Sequence, residues 1–112
     1  MTYHSDTILQ NWSNLTLAEQ LGNIGSEVSR MLKWREKDRA IADRAFERMS
    51  ELLNETIAGE TENRYRLREL ARLRECINTY WDSGNTADIL SLTSLVRYFD
   101  QFAVLANKNR HN

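Results

Sequence analysis

No proline interrupts the 112 residues of this chain, and glycine stands only at positions 22, 25, 59 and 84. Sheet proteins need turn residues between every pair of strands, so a chain with so little punctuation is pushed towards a few long helices. The length fits a single domain, since a much shorter chain buries too little apolar surface and a second domain would need more residues. Hydrophobic residues make up 41% and charged residues 28%, which is a globular mixture rather than the polar composition of disordered segments.

The apolar spacing agrees with helices throughout. Thr16 and Glu19 form a capping box, in which hydroxyl and carboxylate each accept an early backbone N–H, and Leu17, Leu21, Ile24, Val28 and Met31 follow at steps of four and three. Trp12 is the expected anchor of an otherwise polar start that also carries Tyr3, Ile8 and Leu9. From Asp38 the set Ala42, Ala45, Phe46, Met49, Leu52, Leu53 and Ile57 predicts a second helix, with Gly59 as a left-handed terminator. A third helix is predicted over 63–81, with Leu67, Leu70, Leu73, Ile77 and Tyr80 or Trp81 inward, and Ser83-Gly84-Asn85 ending it. The last helical region begins near Thr86, with a stripe of Ile89, Leu92, Val96, Phe99, Ala103 and Ala106 widened by Leu95, Phe102 and Leu105. Thr93 and Ser94 could split it, because hydroxyl side chains compete for backbone groups. The expected architecture is an all-α, up-and-down bundle of four main helices over 16–107, after a loose segment 1–15 and before a frayed tail 108–112.

Chemistry-bearing residues are sparse. The two histidines, His4 and His111, lie near the ends, and the sequence lacks Cys-x-x-Cys pairs, paired Glu-x-x-His motifs and a phosphate-binding glycine loop. The chain is therefore expected to be no enzyme and to take no metal or cofactor. Cys76 is single, so it forms no internal disulfide, and reads as a small, partly buried side chain despite Arg72 one turn before it. The absence of a basic segment followed by an apolar core, and of an apolar run near 18 residues, points to a cytoplasmic protein without a membrane helix.

Two surfaces remain as candidates. Gly22, Gly25, Ser26 and Ser29, with Ala18, form a ridge of small residues beside the first apolar stripe, and glycine inside a helix costs about 0.5–1 kcal/mol relative to alanine. Such a ridge lets another helix approach closely, either within the chain or from a second copy; together with the broad last helix it suggests a homo-oligomer or a protein partner. The second surface is basic: Arg64, Arg68 and Arg72 at steps of four, with Lys33, Arg35, Lys37 and Arg39 around the first connection. Arginine binds phosphate in a bidentate manner, so this face is a candidate for nucleic acid. Interleaved Glu62, Glu69, Glu75, Glu36 and Asp38 argue instead for solvated faces laced with ion pairs. The formal net charge of −1 provides no long-range field for polyanions.

The run 15–28, Leu-Thr-Leu-Ala-Glu-Gln-Leu-Gly-Asn-Ile-Gly-Ser-Glu-Val, with Trp34, Ala45-Phe46-Glu47-Arg48 and Leu70-Ala71-Arg72-Leu73-Arg74-Glu75, resembles a family of small uncharacterised prokaryotic helical proteins over most of the chain. More loosely, the architecture is similar to the four-helix proteins encoded in intervening sequences of bacterial 23S ribosomal RNA genes. That resemblance implies a symmetric oligomer with a basic surface, and the near-neutral charge of this chain departs from it. The reading that combines these features is a non-catalytic helical-bundle interaction or scaffold protein that self-associates; the alternative is a nucleic-acid-binding accessory protein using the arginine face.

Overall fold

A computed structural model of the protein describes residues 11–110. A 3-10 turn, Trp12–Asn14, precedes four helices: α1 (Leu17–Trp34), α2 (Arg39–Gly59), α3 (Arg64–Ser83) and α4 (Thr86–Arg110), and no strand occurs among the described residues. Each helix begins where side-chain chemistry supplies a partner for the unpaired N–H groups of its first turn. In α1 the capping box is complete: Thr16 Oγ1 accepts from Glu19 N at 3.1 Å, and Glu19 Oε1 accepts from Thr16 N at 2.9 Å. Asp38 caps α2 through Ala40 N and Ile41 N, Asn63 caps α3 through Arg66 N, and Asn85 caps α4 through Asp88 N.

Three details differ from the sequence-based expectation. Gly59 is the last residue of α2 and lacks a positive φ, so the helix ends at Glu60 without a left-handed residue. That role falls to Gly84 alone among the described residues, at φ 62°, closing α3. Nor is the last helix split: the Thr93 and Ser94 hydroxyls donate to the Ile89 and Leu90 carbonyls one turn back, which leaves the α4 ladder unbroken. The segment expected to be loose through residue 15 contains the 3-10 turn Trp12–Asn14, where Trp12 is the anchor as expected: it is buried and its indole N–H donates to Thr56 Oγ1 at 3.0 Å. Tyr3, Ile8, Leu9, His4 and His111 lie outside the described residues.

Helices α1 and α4 run antiparallel, since Gly22 faces Ala103 while Gly25 faces Phe99. The α1–α2 and α3–α4 connections sit at one end of the bundle, where Arg35 Nη2 donates to Gly84 O at 2.6 Å. Beside that tie, Phe46 stacks on Trp81 with ring centroids 6.1 Å apart, and the Arg39 guanidinium lies 4.6 Å from the Trp81 ring. The core is centred on α1 and α2, each of which buries six residues, among them Ile24, Val28 and Met31 from α1 and Met49 and Leu53 from α2. Fully burying a side chain of this size is worth about 1.5–3 kcal/mol. By contrast, α3 buries only Leu70, Ile77 and Trp81. On its α4 side it leaves a groove.

Candidate docking groove

The gap left by α3 is a groove of about 800 Å³ between α3 and α4. Its floor is the start of α1, at Leu17 and Leu21. Leu17 belongs to the apolar stripe read from the sequence, yet it is only partly buried, because no helix covers this end of the stripe. One wall is the α3 face carrying Tyr65, Leu70, Leu73, Cys76 and Tyr80, and the other is the α4 face carrying Leu95, Tyr98 and Phe102. On α4 these positions continue through Leu105, which is exposed, so the helix offers apolar groups at steps of four and three. Tyr98 packs edge-on against Phe99 and Phe102, at 5.8 and 5.1 Å between centroids, which holds its ring upright on the wall while leaving it 47% exposed.

The polar groups of the lining are few and mostly spoken for within their own helices. Ser91 and Ser94 return their hydroxyl protons to the Ala87 and Leu90 carbonyls at 3.1 and 3.2 Å. Among the described residues the lining includes one carboxylate, Glu69, whose Oε1 lies 3.8 Å from Arg72 Nη1. Arg66 reaches towards Glu60 at 3.5 Å. Cys76 is half-buried in the wall, as a small apolar group would be. No group of three or more His, Cys, Asp or Glu among the described residues is placed to hold a metal ion. No helix among them is long and apolar enough to cross a membrane.

The two surfaces singled out from the sequence fare differently. The glycines of the small-residue ridge are covered by α4: a Cβ on Gly25 would sit 2.3 Å from Phe99 Cβ, and one on Gly22 3.2 Å from Ala103 Cα. Both glycines thus serve close approach within the chain, where Gly25 is buried and Gly22 half-buried. Ser26 is exposed, with its hydroxyl donating to Gly22 O, and Ser29 is half-buried.

The basic residues separate into two groups. Arg35 is half-buried and donates to Gly84 O and to the exposed Glu36; Arg39 is exposed, paired with the exposed Asp43 and lying against the Trp81 ring; Lys33, with its ammonium 5.6 Å from the Trp34 ring, and Lys37 are exposed. Arg64 opens α3 at the opposite end of the bundle from Gly84, about 30 Å away for a helix of this length. The seven basic candidates therefore do not form one patch. Arg64 and Arg68 are exposed and form no ion pair among the described residues, and Arg72 has 74% of its side chain exposed beside Glu69.

Sequence reasoning named neither Tyr65 nor the groove itself. Tyr65 is 74% exposed, the most exposed large hydrophobic side chain among the described residues. The available signal was the width of the α4 face, broader than one packing stripe requires, and the placing of Tyr65 seven residues before Arg72. Compared with known proteins, the chain matches no family, no curated protein and no solved structure.

Proposed function

We propose that this chain is a non-catalytic interaction module and that the groove between α3 and α4 is its docking face. The observation that carries this reading is the pair of exposed tyrosines, Tyr65 and Tyr98, on facing walls of an apolar groove. Large aromatic side chains flanked by arginine are the residues that interfaces favour, because they exclude water over a wide area at low conformational cost. Of the two features behind the expectation of self-association, the glycine ridge is occupied by α4 and the broad α4 face stays open.

The test is a pair of variants: Tyr65→Ser, at an exposed position where the fold should lose less than about 0.5 kcal/mol, and Tyr98→Glu, which also gives up the edge-on contacts with Phe99 and Phe102 at about 0.5–1.5 kcal/mol each. Proteins retained by the immobilised wild-type chain, and any multimer detected by light scattering after size exclusion, should be lost in both variants while the helical circular dichroism is unchanged. Retention that is indifferent to both substitutions would remove the groove from consideration.

A second reading, phosphate contact by Arg64, Arg68 and Arg72, is favoured by the absence of ion-pair partners at Arg64 and Arg68 among the described residues. It predicts nucleic-acid affinity that falls steeply with salt and weakens when the three arginines become glutamine.

A further inference from the structure

We infer that the occupant of the groove is an acidic amphipathic helix from another protein, about four turns long, whose apolar stripe enters the groove while its flanking carboxylates meet the arginines of α3. This inference rests on the groove being a docking face and names what docks. Length comes first. The α3 wall runs from Tyr65 to Tyr80, which at the rise of an α-helix is about 22 Å and matches a helix of about 15 residues. The α4 wall presents Leu95, Tyr98 and Phe102 at steps of three and four, the register into which the i, i+3 and i+4 teeth of another helix interdigitate.

Charge selects among helices of that shape. Tyr65 and Arg72 both line the groove, and Arg68, three residues after Tyr65, lies between them on the same face of α3. The lip of the α3 wall therefore carries Arg72, with Arg68 and Arg64 one and two turns before it just outside the lining, and the lining Arg66 held towards Glu60; the carboxylates beside them are Glu69 in the lining and the exposed Glu75. Arg64 and Arg68 have no ion-pair partner among the described residues and stay free for one. An acidic flank on the incoming helix supplies it, whereas a basic flank meets like charge.

A second copy of this chain fits less well. An isologous contact would bring the same arginine lip against itself. The acidic side of α2, with Asp43, Glu47 and Glu55 exposed, belongs to a helix whose apolar side is already spent on the core through Ala45, Met49 and Leu53. It has no apolar stripe left to insert between acidic flanks.

The experiment uses the 112-residue chain and two fluorescein-labelled 18-residue peptides with the same leucine stripe at helical spacing, one flanked by glutamate and one by lysine. Fluorescence anisotropy at low salt should show the glutamate peptide binding about tenfold more tightly, the sum expected of three exposed ion pairs. The preference should shrink in 0.5 M salt. Replacing Arg64, Arg68 and Arg72 with glutamine should abolish the preference without abolishing binding, and Tyr98→Glu should weaken both peptides.

Equal affinity for the two peptides would overturn the acidic partner while leaving the groove as a docking face. Binding of neither peptide, by a chain that is monomeric at the same concentration, would overturn the docking face itself. A dimer that Tyr98→Glu dissolves would make a second copy the occupant. An Ile8→Ser/Leu9→Ser chain that binds both peptides more tightly than the wild type would make the preceding segment of this chain the occupant. Either of these last two results overturns the inference.

Discussion

Helix α4 has two neighbours and meets them in opposite ways. Against α1 it lies so close that a single added carbon at Gly25 has no room beside Phe99. Against α3 it leaves a groove of about 800 Å³ in which Tyr98 remains nearly half exposed. The difference follows from what each neighbour presents. The α1 face offers glycine, so backbones approach and the large Phe99 ring fills the contact. The α3 face offers tyrosine, leucine and arginine, whose bulk and charge hold the helices apart. Small residues in a seam let helix axes approach closely, large ones set them further apart, and apolar surface that no neighbour then fills is left for something else to cover.

Removing the ring that fills the tight seam should break this contrast with the largest effect. Phe99→Ala is expected to cost about 3–5 kcal/mol of unfolding free energy in a urea titration, the range for deleting a fully buried aromatic. Crowding the same seam comes next. Gly25→Ala should cost about 1–3 kcal/mol through overpacking, and in the Phe99→Ala background part of that cost should remain, because alanine keeps the Cβ that lies 2.3 Å from the added carbon while losing the Cγ at 2.9 Å. A double-mutant cycle in which the two effects simply add would show that Gly25 and Phe99 do not share one contact.

The open seam should behave otherwise. Native-state hydrogen exchange should find the amides of the first turns of α3 opening at lower free energy than those of α1 around Val28, because α3 has fewer buried side chains to hold it. If both helices open only with global unfolding, the groove is more rigid than its packing implies. The smallest effect is expected at Tyr65→Ser, within about 0.5 kcal/mol by thermal melt, since an exposed side chain contributes little to the fold. A loss near that of Gly25→Ala would place Tyr65 in the core rather than on a docking surface.

Much of the fold could be read before any coordinates, and for local reasons. The capping box at Thr16 and Glu19 and the apolar spacing of α1 and α2 involve residues within a turn or two of one another, whereas the sequence over 33–39 fits a turn as well as continuing helix, and the Asp38 cap decides where α2 starts. Each misreading also had a local cause. Gly59 has the composition of a left-handed terminator, but α2 ends with Glu60 N donating to Ile57 O, which needs no positive φ. Thr93 and Ser94 have hydroxyls able to cap, and the same hydroxyls can bond one turn back instead; the continuous apolar stripe of α4 decides in favour of the second. Of the basic residues at 33–39 only Arg35 is half-buried, through its bond to Gly84 O, and nothing nearby in the chain announces Gly84 or Trp81 as neighbours of Arg35 and Arg39.

What the sequence determined by itself is therefore the helices: the capping box of the first, the faces that are apolar, and the absence of strand punctuation that makes any other class of fold costly. Only the tertiary structure decided which of those faces meet. The ridge of Gly22 and Gly25 could have served a second copy as well as α4 until Phe99 and Ala103 occupied it. The width of the α4 face could have been spare core until α3 proved too bulky and too charged to close over it. Periodicity states that a helix has a face to bury, whereas the distance at which two helices settle depends on the summed volumes of side chains far apart in the chain.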